Sequence, residues 1–415
     1  MTVNQFIRKL LHLKELSVVG FHLDARKHGA LELFVKPYKN GCLCPHCRRR
    51  CPIVQTRQDV RMWRDPPIYG RPVTLWYQPR EIRCPTHGRV QEEIPWADRF
   101  AKVTYRFEYL LLVLCQLMTQ KAAARVLHLA TSTLSGLLHR AISRLRAGHR
   151  IENLEQIGVD EISYCKGHKY ATVVYDIARS CVVWVGKGKG RETIDGFFNH
   201  ALTQEQRESI RWATCDMSQA YIGAIEHHCP NVTVVLDRFH IAKALNEAVD
   251  EVRKEEWRKA CGDERKALKG LRWLLYKHFS NRSKEERATL EALRKGNRRI
   301  HRAWILKDEF EQFWDYKAPW AAKRYLKRWM TTALKSRLES IRGFVQTVKE
   351  QMHRILPYIT SRLTNAIGEG LNRIIKIVKN RASGFRNLEA FSDLIYLTVG
   401  DLDLPDQIPA QFRTL

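Results

Sequence analysis

Acidic residues are in short supply in this 415-residue chain: 44 Asp and Glu stand against 71 Lys and Arg, for a formal net charge of +27. Such an imbalance makes a polyanion the natural partner. Long hydrophobic runs are also missing. The longest apolar stretch, Tyr109 to Met118, is too short to cross a bilayer, and no basic run flanks an apolar helix, which argues against a membrane partner. The N-terminus carries Lys and Arg inside its apolar run and has no small-residue cleavage site, so it does not read as a secretory signal. Paired-cysteine logic fails as well. Eleven cysteines are an odd number, and Cys165, Cys181 and Cys215 sit inside strand-like runs, which argues against a disulfide scaffold and for a reducing cytosol. Internal repeats and low-complexity segments are absent.

What is there begins with two knuckles. Cys44-Pro-His-Cys47 and Cys84-Pro-Thr-His87 bracket short β-rich runs such as Val73–Tyr77. Three thiols and an imidazole at this spacing predict a zinc ribbon over 41–98, with Zn²⁺ supplying stability that so small a core cannot. Cys42 and Cys51 flank the first knuckle and are open as alternative ligands. The segment 1–40 precedes it.

Helical periodicity follows over Tyr105–Met118, Gln120–Leu129 and Thr133–Arg146, with Thr131 or Ser132 expected as N-cap of the last helix. A short Ala-rich helix, a tight turn and a capped helix resemble a helix-turn-helix over 99–150, which would direct Ser132, Thr133, Ser135, His139, Arg140 and Arg144 toward DNA. An ordinary three-helix bundle with solvated basic residues is the alternative.

After Arg150 the period changes. Gln156–Cys165, Tyr170–Asp176 and Cys181–Val185 alternate as strands. A helix over Arg191–Ala201, a strand over Ile210–Cys215, a helix over Gln219–His228, a strand over Val232–Leu236 and a long helix from Phe239 complete the order of an α/β, ribonuclease H-like fold. In that fold the first and fourth strands pair in parallel, so Asp160 and Asp216 become neighbours. The stretch 257–355 has no strand signal and reads as an all-helical insertion. Its tryptophans (Trp257, Trp273, Trp304, Trp314, Trp320 and Trp329) are expected in its core rather than as base-stacking platforms. A helix from Ser361 to Lys379 carries Glu369, and with it the catalytic unit 151–256 would resume over 356–400. The tail is 401–415.

In so basic a chain, carboxylates are gathered at one site mainly to hold divalent metal. Asp160 in GVDE, Asp216 in CDMSQAY and Glu369 in NAIGEGLN therefore predict a site for two Mg²⁺ (or Mn²⁺) ions acting on a phosphodiester. Glu161 would point to the opposite strand face. Asp237 and His240 end the last strand nearby. Asp237 reads as support for the site or as a helix cap, rather than a direct ligand. His227 and His228 read as surface residues. Asn365 and Asn372 flank Glu369 at helical spacing, to reach DNA or to order the Glu, while Arg373, Lys376 and Lys379 recur along the same helix as DNA contacts.

These residues resemble an insertion-sequence transposase of the ISL-three family. The matching segments are the two knuckles, the helices from Ala122 to Arg146, GVDEISYCKGHKYATVVYD, DMSQAY, VVLDRFHIAKALNEAVD and TNAIGEGLNRIIKIVKNRASGFRN. Together they cover almost the whole chain in the family's order. The resemblance implies a DDE triad on Asp160, Asp216 and Glu369, with recognition of terminal inverted repeats by the zinc ribbon and helix-turn-helix. It also implies that Asp237 and His240 are similar to an adjunct signature of Mutator-like transposases. A bacterial, nucleoid-associated cytoplasmic enzyme is then expected. It would act on double-stranded DNA, both transposon ends and target, as a homodimer or higher oligomer. A structure-selective nuclease such as a resolvase, or an inactive DNA-binding regulator, are the rival readings.

Overall fold

The computed structural model describes residues 2–10, 16–24, 29–37, 42–148, 151–165, 167, 169–385 and 387–404, so most of the expected tail lies outside it. The chain divides into two compact units, Met1–Arg150 with Ile375–Leu415, and Ile151–Ile374.

The first unit opens with a helix α1 (Val3–Leu10) and strands β1 (Leu16–Asp24) and β2 (Ala30–Pro37). Then come β3 (Cys42–Leu43), β4 (Arg50–Cys51), β5 (Ile53–Thr56), β6 (Arg61–Ile68), β7 (Arg71–Tyr77), β8 (Arg80–Cys84) and β9 (Gly88–Gln91). The expected boundary at 41 does not separate two bodies. Strand β7 pairs in parallel with β2 (Leu31↔Val73, Leu33↔Leu75), giving a four-stranded sheet in the order β1-β2-β7-β6. Alternation along β7 turns Val73, Leu75 and Tyr77 inward, where they pack with Leu33, Trp63 and Trp96. The thiol-bearing pieces form their own small sheets, the β3–β4 hairpin and β5-β8-β9. Buried Glu92 joins the two parts: it accepts from Tyr77 Oη at 2.5 Å and is clasped by Arg80, with Nη2 at 2.8 Å.

Helices α2 (Tyr105–Leu117), α3 (Gln120–Val126) and α4 (Thr131–Gly148) follow, with Thr104 capping α2 and Thr119 capping α3. The turn between α3 and α4 is closed by Leu129 N–H to Ala124 O (2.8 Å), with His128 in the left-handed region at φ +51°. Helix α4 starts at Thr131, so Thr131 and Ser132 lie in its first turn rather than capping it. A C-terminal helix, Leu388–Val399, also belongs to this unit.

The second unit is built on β10 (Gln156–Cys165), β11 (Lys169–Asp176), β12 (Cys181–Lys187), β13 (Trp212–Cys215) and β14 (Thr233–Leu236). Their order is β12-β11-β10-β13-β14. The first three are antiparallel neighbours, and β13 and β14 run parallel to β10. Helices α5 (Arg191–His200), α6 (Gln204–Ser209) and α7 (Gln219–His228) lie in the connections. From β14 onward the chain is helical: α8 (Arg238–Lys259), α9 (Gly262–Tyr276), α10 (Lys284–Gly296), α11 (Arg298–Glu311), α12 (Pro319–Lys335) and α13 (Glu339–Ile355). Its tryptophans divide: Trp304, Trp314 and Trp329 are buried in the core, whereas Trp273 and Trp320 are exposed.

The expected single helix from Ser361 is broken. A short α14 (Tyr358–Ser361) ends at Arg362 (φ +52°), and α15 (Ala366–Arg381) starts after three further residues. Arg362 secures this break by donating to Trp314 O and Tyr316 O at 2.8 and 2.5 Å. His228, expected at the surface, is mostly buried: it stacks on Phe198 and meets Asp195 Oδ1 at 2.9 Å.

Candidate functional site

Parallel pairing determines where the acidic residues fall. Gly158 is in register with Thr214, and Cys215 with Leu236. Two residues past the first pair the chain reaches Asp160 on β10 and Asp216 just beyond β13. One residue past the second it reaches Asp216 and Asp237. Three carboxylates thus follow one another across three adjacent parallel strands, Asp160 midway along β10 and Asp216 and Asp237 just past the ends of β13 and β14.

Each carboxylate is anchored. Asp160 accepts from Glu161 N–H and from Asn372 Nδ2, both at 2.7 Å, and Asn372 Oδ1 in turn accepts from Tyr175 Oη at 2.5 Å. Asn372 therefore orders the first Asp, not Glu369. Asp216 accepts from Ser218 N–H at 2.9 Å. Asp237 caps α8 through Phe239 N–H at 3.2 Å, with His240 Nε2 at 3.9 Å from its other oxygen. That other oxygen, Oδ2, is buried without a hydrogen-bond partner. Burial raises the pKa of Asp160, and Asp216 and Asp237 push it further up. Asp237 is likewise raised, first by burial and then by Glu369, while His240 offsets both shifts in part. Glu369, exposed in the first turn of α15, is thus within electrostatic reach of Asp237.

Gly158 and Gly368 have a shared reason to be glycine. A Cβ on either would stand 3.0 or 2.3 Å from Oδ1 of Asn365, which is buried and lacks a partner for that atom. Sequence reasoning missed Tyr175. The inward run along β11 was its only signal.

The thiols gather in the first unit. Ligand atoms of Cys44, Cys47, Cys84 and His87 all lie within 4.8 Å of one another, the one such group of His, Cys, Asp or Glu among the described residues. Cys44 Sγ and Cys84 Sγ lie 3.6 and 3.5 Å from His87 Nδ1, and Cys47 Sγ is 3.6 Å from Cys84 Sγ. Burial pushes the Cys84 thiol up, but bonds to His87, to backbone N–H groups and to Cys47 overcome this and bring it to about 5. Cys42, by contrast, is pushed up to about 12 by burial and by Glu92. It faces Cys51 across the hairpin, outside the four. Geometry thus separates the four gathered ligand atoms from Cys42 and Cys51.

On α4, Ser132, Thr133 and Arg140 are exposed and Ser135 is half-buried. Two residues expected to face DNA are engaged elsewhere. Arg144 is ion-paired with Asp98 and with Glu108 (2.7 Å), and His139 Nδ1 meets Asp393 Oδ2 at 3.0 Å. The competing partners are distant in sequence, so spacing could not reveal them. On α15, Arg373 and Lys376 are exposed and Lys379 is half-buried.

A thiol–imidazole cluster and a helix-turn-helix in one unit, with gathered carboxylates in the other, suit a protein that grips DNA and alters it, and the class so defined is the DNA transposases. The chain belongs to transposase family ISL3. Residues 157–395 match that family's DDE transposase domain, and residues 92–142 match the helix-turn-helix domain of transposase family ISL3. The chain is 33% identical over 368 residues to the transposase for insertion sequence element IS1001 of Bordetella parapertussis, covering 87% of this chain and 89% of that one. It is 27% identical over 380 residues to the transposase for insertion sequence element IS1557 of Mycobacterium tuberculosis, covering 86% and 85%. Among solved structures, the Drosophila P element transposase strand transfer complex aligns over 72% of this chain and 92% of that one. Its TM-score of 0.36 and 11% identity are too low to carry a structural argument. No helix of the described residues is long and apolar enough to cross a membrane.

Proposed function

We propose that this transposase binds the terminal inverted repeats of its own element and cuts and joins DNA through Asp160, Asp216 and Glu369 as a DDE triad. The observation that carries the reading is the row formed by Asp160 within β10 and by Asp216 and Asp237 just past β13 and β14, with Glu369 within electrostatic reach of Asp237. The strand order supports a ribonuclease H-like domain that runs over 151–256 and resumes from 356 to Ile374 with the start of the Glu369 helix, with 257–355 as a helical insertion and the rest of the expected 356–400 belonging to the first unit. Within 41–98, segments 42–56 and 80–91 are then the zinc ribbon, and 99–150 is the end-binding helix-turn-helix.

The donor set fits hard divalent cations. The ligands are oxygens, Asp237 Oδ2 and Asn365 Oδ1 are buried without partners, and the repulsion that raises Asp160 is what a bound cation relieves. Asp160 and Asp216 would hold two Mg²⁺ or Mn²⁺ ions and Glu369 would complete one site. Such a pair supplies activation of the attacking oxygen and charge stabilisation at the leaving oxygen. The chain's own part is positioning. Asn372 and Glu161 N–H fix Asp160, Ser218 N–H fixes Asp216, and Asp237 with His240 sets the local charge. Ser132, Thr133, Ser135 and Arg140 are the proposed end-reading residues, and Arg373, Lys376 and Lys379 meet phosphates. Zn²⁺ is the metal proposed for Cys44, Cys47, Cys84 and His87. Joining two ends calls for a homodimer or higher oligomer on DNA.

The test is incubation of the protein with Mg²⁺ and a duplex bearing the inverted repeat that flanks its gene, mapping cuts on both strands. Position-specific cuts that vanish in Asp216→Ala, with binding retained, are expected. Normal cutting by Asp216→Ala would remove the triad assignment. Binding without cutting points to a regulator, and cutting confined to branched junctions points to a resolvase.

A further inference from the structure

Helix α12 has two opposed faces. Ala322, Leu326, Trp329 and Ala333 are buried in the core, and Trp329 Nε1 donates to Leu306 O at 2.8 Å. At 100° per residue the other side brings Trp320, Lys323, Arg324, Lys327 and Thr331 into one stripe, and all five are exposed. The helix, PWAAKRYLKRWMTTALK, contains no Asp or Glu, and Lys323, Arg324 and Lys327 form no ion pair among the described residues. Cations on the neighbouring helices are in part paired with acids that α12 lacks. On α9, Lys266 pairs with Asp263 and Arg272 with Asp250, and on α8, Lys259 pairs with Glu256. Trp320 is 71% exposed on this stripe, while Trp304, Trp314 and Trp329 supply the core.

We propose that the solvent face of α12 is a second DNA-binding surface, which grips the phosphate backbone of duplex DNA without reading sequence. It rests on the reading of the chain as a transposase and adds a contact outside both the helix-turn-helix and the carboxylate row. Unpaired cations at i, i+1 and i+4 on a rigid helix match a line of phosphates. From Trp320 to Thr331 the stripe runs about 16 Å, or roughly five base-pair steps at ~3.4 Å each. A single exposed aromatic does not provide the succession of stacking platforms used to follow a single strand, so duplex is the favoured form. Trp320 lies at the end of the stripe as an apolar contact to the sugar edge.

The experiment titrates the full-length protein against a short fluorescent duplex of arbitrary sequence over a range of salt concentrations. The triple variant Lys323→Glu/Arg324→Glu/Lys327→Glu is compared with a control triple on α10, Lys284→Glu/Arg287→Glu/Lys295→Glu, which changes net charge equally. Three lost phosphate contacts are expected to make the slope of log K against log salt shallower by about 2.7 in the α12 variant. The control should change it far less, and Trp320→Ala should weaken binding without altering the slope. Equal slopes for wild type and the α12 triple, equal effects of the two triples, or tighter binding of the matching single strand would each overturn this surface while leaving the transposase reading in place. A wild-type chain that binds no duplex would overturn both. Circular dichroism melts of the variants exclude unfolding as the cause.

Discussion

Asn372 stands between two groups, each of which needs it. Its amide donates to Asp160 and its carbonyl accepts from the buried Tyr175 hydroxyl. Asn372→Ala leaves that hydroxyl without its acceptor, a cost of about 1–3 kcal/mol, and frees Asp160 to rotate. Thermal melting is expected to show the loss of stability, and the inverted-repeat assay a loss of cleavage beyond it. His139 invites a different test. Asp393 is buried, which raises its pKa above the ordinary 3.8, and His139 offsets part of that rise. A raised carboxylate pKa means that stability is full below 3.8 and is lost as pH rises through the shifted value. His139→Ala raises it further, so its melting deficit should be small near that acid limit and grow toward neutral pH. A deficit equal at both ends would mean that the pair has no such electrostatic role. Neither partnership was legible in the sequence, because each joins residues about 200 or more positions apart.

Elements were legible where the signal was local. The alternation of β10, β11 and β12 and the lengths of α5 and α7 follow from nearest-neighbour patterning, and the structure keeps them within a few residues. The four-stranded sheet was not legible, because Leu31 finds Val73 only after the chain has made the thiol-bearing hairpin between them. The carboxylate row was legible only as scattered motifs, and parallel pairing is what aligns it. At this scale the Cys44–His87 cluster makes its own prediction. A strong chelator should expose its thiols to a reporter reagent and remove strand signal from 42–56 and 80–91 in hydrogen exchange, while amides of β10–β14 keep their protection. Loss of protection in both units together would show that the metal stabilises more than its own module. On α4, Arg140→Ala is expected to lower inverted-repeat affinity. Arg144→Ala should lower the melting temperature more, since it leaves the buried Glu108 without its cation.

For the whole molecule the governing quantity is charge. With +27 to accommodate, the chain pairs many of its cations internally, at Asp250, Glu256, Asp308 and Glu226. Composition alone announced a polyanionic partner but could not say which cations remain available to it. That depends on which acids fold against them, and the sorting of the tryptophans into core and surface depends on the same packing. Total DNA affinity should therefore fall steeply with salt, whereas discrimination between an inverted-repeat duplex and a scrambled one should change much less. Competition binding at two salt concentrations measures both.

The interleaving of the first unit bears on how such proteins can be recombined. Chain segments 16–37 and 61–77 share one sheet and one core, and segments 42–56 and 80–91 carry the thiol–imidazole cluster, so the backbone passes from one to the other three times. Exchanging a contiguous piece that starts at residue 41 would leave β7 without its parallel partner and expose Trp63 and Leu75. A hybrid meant to redirect the protein to another element's ends should instead inherit everything up to the start of α2 from one parent, because Glu92 ties the two parts together and Ile94 and Trp96 pack in the same core. Descent within the family is under the same constraint: this interleaved stretch travels together or loses its fold.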